Sequence, residues 1–245
     1  MQSAYAAEPR PLVPVPAATR SGEAYARLRY EIRTLTLPPS RAFSEAEICA
    51  LLGLSKAPVR DALAQLRREG LVISAPRSGY SVAPMTVKDA RELFGVRTLL
   101  EGEAAALAAT RNGDIERLRE LDALCQRDYD PDDRASVHEF LTVNAAFHLA
   151  VAECAGNARL VDQLARVLDA SERYMHLGLR LTQRGAAIAH EHRELVGSIA
   201  AGDAELARHV AQHQLDDAQR MVLEGLLNSD AVLTANLGAQ MLGGR

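Results

Sequence analysis

The side chains with chemistry to offer sit where their neighbours are apolar. Over 132–154, Val137, Leu141, Asn144, His148 and Val151 recur at helical spacing, with Phe140 and Phe147 beside them. That pattern turns Asn144 and His148 inward, one turn apart. Over 185–200, Ile188, His192, Leu195 and Ile199 share a stripe that turns His192 inward and leaves His190 on a polar face. Arg97 falls between Phe94 and Leu100, with Glu101 one turn on. Two inward imidazoles and an amide make a donor set for a divalent ion, and zinc or nickel, borderline ions, suit imidazole. The other reading is a pair of satisfied core histidines. An inward arginine is costly without an anion, so Arg97 either pairs with Glu101 or receives a carboxylate ligand.

A second group lies in the first third of the chain. Gly53 ends one short helix at a tight corner, and Ser55 caps the next only two residues later. Pro58 occupies the first turn, where a missing N–H costs nothing. Val59, Ala62, Leu63 and Leu66 form one buried face, while Lys56, Arg60 and Arg67 line another. Leu71-Val72-Ile73 and Tyr80-Ser81-Val82 flank Pro76-Arg77-Ser78-Gly79, which predicts a β-hairpin with a basic tip. Together these make a winged helix-turn-helix. Its second helix would enter the major groove N-terminus first, presenting Ser55, Lys56, Ala57 and Arg60 to double-stranded DNA. Arg60 offers a planar fork for guanine O6 and N7. Ser55, Lys56 and the helix N-terminus suit phosphate. Arg77 reaches the adjacent minor groove or backbone. The competing reading is a structural helix pair with a solvated basic face.

The elements that position these groups are mainly α, as an Ala- and Leu-rich chain suggests. Residues 1–19 hold four of the ten prolines and lack periodic spacing, so they are read as a disordered arm. The winged helix spans 20–85. In it, Ser21 caps a first helix to Thr34 with Tyr25, Leu28 and Ile32 inward, and Pro38-Pro39 stops it. Ser44 and Glu47 form a capping box for a second helix with Ile48, Leu51 and Leu52 as its apolar face. An all-helical domain follows over 86–227. Thr86 and Asp89 open it with another capping box and a long helix, then helices at 114–128, 132–154, 158–182, 185–200 and 203–227. The 228–245 tail has weak periodicity.

The 245 residues are 48% hydrophobic and 24% charged, which excludes wholesale disorder. No apolar run approaches the ~20 residues of a membrane span, no signal pattern opens the chain, and a cytoplasmic location is expected. Three cysteines are too few for a disulfide framework. The absence of Trp argues against a stacking-based single-strand binder. The net charge of −4 hides a split: residues 1–85 carry 11 Lys and Arg against 7 Asp and Glu, and the remainder carries 17 against 25.

Residues 37–85 resemble the GntR family of bacterial transcription regulators. The resemblance rests on Phe43-Ser-Glu-Ala-Glu-Ile-Cys-Ala-Leu-Leu-Gly-Leu-Ser-Lys-Ala-Pro-Val-Arg-Asp-Ala-Leu63, then Leu66 and Glu69-Gly70-Leu71-Val72. It implies DNA contact by Lys56, Arg60 and the wing around Gly79. The family usually has Arg, Arg and Thr where this chain has Ala46, Lys56 and Ala57, and Lys is a poorer bidentate reader than Arg. Most of 87–220 resembles the FCD ligand-binding domain of the FadR subfamily, through Arg97-Thr-Leu-Leu-Glu101, Asn144-Ala-Ala-Phe-His148, Ala155-Gly-Asn157, Glu191-His192 and Gly202-Asp203 with Ala207. This resemblance implies a divalent metal held by Asn144, His148 and His192 beneath an organic-acid effector, with Arg97 and Asn157 as effector contacts. The family's third His falls at Gln214, with His213 next door. The stripe Ala207, Val210, Ala218, Met221 has Gln214 near its middle and His213 at one edge, so either supplies the fourth position, or the site is empty.

The expected function is a ligand-responsive repressor acting as a homodimer on a palindromic operator, with a small carboxylate effector that changes the spacing of the two heads. Two alternatives stand beside it. One is a metal-dependent hydrolase fused to a DNA-targeting module, with Glu191 as its candidate base. The other is an effector-free structural DNA-binding protein, against which the inward Arg97, Asn144, His148 and His192 argue.

Overall fold

The computed structural model describes residues 19–75, 79–111, 113–182 and 185–229, with side chains described for all of these except 182 and 185–191. Apart from Thr19, Asn228 and Ser229, the expected arm and tail lie outside the described residues, as do Arg77 and the side chain of Glu191.

The head comprises α1 (Arg20–Arg33), β1 (Ala42–Phe43), α2 (Glu45–Leu52), α3 (Lys56–Arg68), β2 (Val72–Ala75) and β3 (Gly79–Val82). Its core joins Tyr25, Leu28 and Ile32 of α1 to Val59, Leu63 and Leu66 of α3 and to Phe43, Val72 and Val82 of the sheet. Thr19, not Ser21, caps α1: its hydroxyl accepts from the Gly22 N–H at 3.0 Å. Ser21 instead donates to Asp61. The Ser44–Glu47 capping box forms in both directions. Gly53 takes φ +67 at the corner, a left-handed conformation that glycine adopts at no steric cost. Leu51 was expected on the apolar face but is 52% exposed. In an eight-residue helix Ile48 and Leu52 suffice to reach the core.

The wing hairpin pairs Val72 with Val82 and Ala75 with Gly79. The sheet gains a third strand that the sequence did not reveal, because β1 adds Ala42 and Phe43 antiparallel to β3 in the order β1-β3-β2. Two residues are too short to show a period of two.

The body comprises α4 (Val87–Thr110), α5 (Ile115–Cys125), α6 (Arg134–Cys154), α7 (Ala158–Thr182), α8 (Gly185–Ala200) and α9 (Ala204–Leu227). The expected second capping box is half present. Thr86 accepts from the Asp89 N–H at 3.1 Å, but the Asp89 carboxylate accepts from the Tyr174 hydroxyl instead of reaching back. Phe94 of α4, Val137 and Leu141 of α6, Tyr174 and Leu179 of α7 and Leu215 and Val222 of α9 pack in one cluster. Gly178 and Gly225 let α7 and α9 close up, since a Cβ on Gly225 would lie 3.2 Å from the Gly178 Cα.

Head and body meet across buried charges. Arg29 and Arg33 of α1 both pair with Asp169 of α7. Arg33 also holds Glu172 at 2.7 Å, and His138 of α6 takes the other oxygen of Glu172 at 2.9 Å. Arg173 donates to the carbonyls of Ala83 and Pro84, which lead from wing to body, at 2.8 and 3.2 Å.

Candidate functional site

The head presents its groups outward. Ser55, Lys56, Ala57 and Arg60 are exposed at the start of α3, while Pro58 and Val59 between them are buried. Ser55 occupies the N-cap in extended conformation without a side-chain cap bond. Its hydroxyl and the first N–H groups of α3 therefore remain available to an anion. Gly79 is exposed on the wing at φ +90. Arg60 is held by Glu45 of α2, with Nε donating at 3.3 Å and Nη2 at 3.0 Å. Glu45 went unnoticed in the sequence because an acidic residue in a first turn is ordinarily read as serving the helix dipole.

The body turns its groups inward onto one small cavity of about 20 Å³, lined among others by Arg97, Asn144, His148, His192 and Gln214. Four helices supply them: α4, α6, α8 and α9. Glu101 is the hub. It accepts from Arg97 Nε at 2.7 Å and pairs with His148 Nδ1 at 2.8 Å. Burial pushes the Glu101 carboxyl up, but Arg97 and His148 outweigh it and hold the pKa down to about 2. Pairing with Glu101 through Nδ1 leaves His148 Nε2 for a ligand, the arrangement that carboxylates impose on metal-binding histidines. Arg97 also reaches the Ser171 hydroxyl of α7 at 3.5 Å. Burial, then the neighbouring His148, drives the pKa of His192 well below its ordinary value, so it is neutral. His192 stacks on Phe147 at 4.1 Å and meets His148 edge-on at 5.2 Å. His192 Nδ1 and Asn144 Oδ1 are buried without a hydrogen-bond partner.

Two expected contacts fall elsewhere. His213 is exposed, and Gln214, buried to 7%, occupies the cavity as its central place on the α9 stripe dictates. Asn157 is exposed and accepts from the Leu160 N–H at the start of α7, so it caps a helix and does not line the cavity. Among the described residues no group of three His, Cys, Asp or Glu side chains is placed to hold an ion; the polar side chains lining the cavity beside Arg97 are two imidazoles and two amides. Ser171 and the Glu101–His148 pair had no signal in the sequence, because each contact joins helices far apart in the chain.

A winged head over a helical sensor body defines a class of regulators. Residues 20–82 match the family described as bacterial regulatory proteins, gntR family, and residues 92–217 match the FCD domain. An uncharacterized HTH-type transcriptional regulator of Streptomyces ambofaciens is 31% identical over 83% of this chain and 86% of its own length. The HTH-type transcriptional repressor GlaR of Escherichia coli is 24% identical over 79% and 91%. Among solved structures, a GntR transcriptional regulator from Rhodococcus sp. RHA1 superposes with TM-score 0.66 at 26% identity, covering 84% of this chain and 98% of that one. E. coli McbR/YncC shares the fold with TM-score 0.68 at 20% identity, over 84% and 98%. The chain therefore belongs to the gntR family and carries an FCD domain. Among the described residues no helix is long and apolar enough to cross a membrane.

Proposed function

We propose that this protein is a transcriptional repressor released from, or recruited to, a palindromic operator by a small carboxylate that enters the Arg97 cavity. The observation that carries the reading is the convergence of Arg97, His148, His192 and Asn144 on one small cavity in a body fixed to a DNA-reading head. Asn144 Oδ1 and His192 Nδ1, buried there without a hydrogen-bond partner, are groups that a ligand would satisfy. These two atoms and His148 Nε2 are the donors for a zinc or nickel ion, which would supply a Lewis-acidic anchor for the carboxylate. Among the described side chains Glu101 is the carboxylate that faces Arg97, and an anionic effector would add the counter-charge that a dication there needs.

A cavity of about 20 Å³ accommodates one ion or water and no organic acid. The effector must therefore displace lining side chains. Two copies are needed to read two half-sites, and Val96 and Leu99, exposed on one face of α4, offer apolar surface for pairing. The relative GlaR is named a repressor, which supports that sign of action.

Metal analysis of the purified protein, with thermal shifts in a series of small carboxylates, tests the reading. Stabilisation by one acid that Arg97→Ala abolishes, with operator binding intact, supports it. No shift with any acid or ion, in a protein that binds DNA, refutes it.

A further inference from the structure

Glu45 is the first residue of α2, and Arg60 stands one turn into α3. We propose that Glu45 is the positioning residue that makes Arg60 a base reader, so that one base pair of each half-site is selected by way of a carboxylate that touches no base. This rests on the reading of α3 as the recognition helix.

The geometry divides the guanidinium into two working edges. A planar guanidinium has five N–H donors. Glu45 takes the side edge, Nε–H and one Nη2–H, at 3.3 and 3.0 Å. The end edge remains, with one Nη1–H and the second Nη2–H. Those donors form the parallel pair that matches guanine O6 and N7. A side-on carboxylate thus fixes the plane of Arg60 and leaves its bidentate face outward.

Folding does not account for the pair. The Arg60 side chain is 66% exposed and Glu45 21%, and exposed pairs contribute little to stability. Nor is Glu45 needed as a cap, because Ser44 and Glu47 already close the capping box. Lys56, the other cation in the first turns of α3, is a point charge without a fork. When the head docks, water leaves the Glu45–Arg60 pair and its attraction strengthens. Glu45 also brings a negative charge towards the phosphates, which opposes sequence-independent binding. Its removal therefore moves two readouts in opposite directions, whereas a merely structural defect lowers both.

The experiment uses the full-length protein and a randomised duplex library, followed by titrations on the selected duplex and its single-base variants. Wild type is expected to prefer guanine at one position per half-site, and Arg60→Ala to lose that preference. Glu45→Ala is expected to cut the preference at the same position about tenfold, with the other positions unchanged and affinity for random duplex equal or higher. Should Glu45→Ala fail to fold by circular dichroism, Glu45→Gln, whose amide oxygen keeps one of the two bonds, is expected to cut it about threefold. Full guanine preference in the folded Glu45 variant, with loss in Arg60→Ala, overturns the positioning role. An unchanged selected sequence in Arg60→Ala overturns the recognition role of Arg60, and the proposal falls with it.

Discussion

Glu172→Gln tests whether head and body are held by charge. In the folded chain Arg33 Nη1 lies 2.7 Å from the Glu172 carboxylate, and each side chain is 7% exposed. Burial lowers the Arg33 pKa to about 10, still protonated at neutral pH. Burial pushes the Glu172 carboxyl up, but the His138 hydrogen bond and the Arg33 and Arg29 charges outweigh it and hold it below its ordinary value. Charge centres about 4 Å apart attract by about 4 kcal/mol at an effective dielectric of about 20. Breaking a buried pair costs about 3–5 kcal/mol, because the surviving charge stays buried. Asp169 still faces Arg33 in the variant, so the lower end applies, about 3 kcal/mol. For a chain of this size that lowers Tm by roughly 6–12 °C. Thermal melts followed by circular dichroism at pH 7 measure it. The carboxyl is depressed in the folded state, so its contribution is complete above its ordinary pKa of 4.5 and fades as pH falls below that value. The gap between wild type and variant therefore narrows in acid. Arg33→Met combined with Glu172→Met is expected to recover most of the loss, since both charges of the pair are removed and Asp169 keeps Arg29. A Tm drop below about 2 °C, or a gap that does not change with pH, refutes the reasoning.

Three further outcomes are expected. Ser44→Ala removes one half of a capping box and lowers stability by about 1 kcal/mol in urea denaturation. Leu63→Ala opens a cavity at a fully buried position joining α1 and α3, costing about 2–5 kcal/mol and DNA binding with it. Leu99→Asp places a charge on the 72% exposed apolar position of α4, and native mass spectrometry is expected to show monomer where wild type shows dimer.

Much of this architecture was legible because it is local. The Val59, Ala62, Leu63, Leu66 face is buried as its spacing requires, and each body helix falls within a few residues of its expected span. The inward turn of Asn144, His148 and His192 was also legible, since periodicity fixes which face a residue takes. The rest depends on which helices meet. Glu101 was visible as a partner for Arg97 four residues away but not for His148 on α6. The placing of Gln214 over His213 follows from the middle of the α9 stripe, a 100° difference that sequence spacing could frame but not decide. The charge split counted by residue does not show that part of the basic excess of residues 1–85 is spent internally, because Arg29 and Arg33 pair with Asp169 and Glu172, more than 130 residues away.

The charged seam along α7 limits how freely such reader and sensor modules can be exchanged. The two family matches leave a joint at 83–91, and that joint is the obvious place to cut when grafting this head onto another sensor. Such a cut parts Arg29 and Arg33 from Asp169 and Glu172, and Arg173 from the joint it braces. A recipient without two acidic residues at the matching turn would receive a head with a stranded Arg33 and an Arg29 left only the long contact to Glu69 of the head. A working chimaera must transplant little more than one turn of α7 along with the head, or neutralise both arginines. The unit of inheritance for this reader is thus longer than its domain boundary.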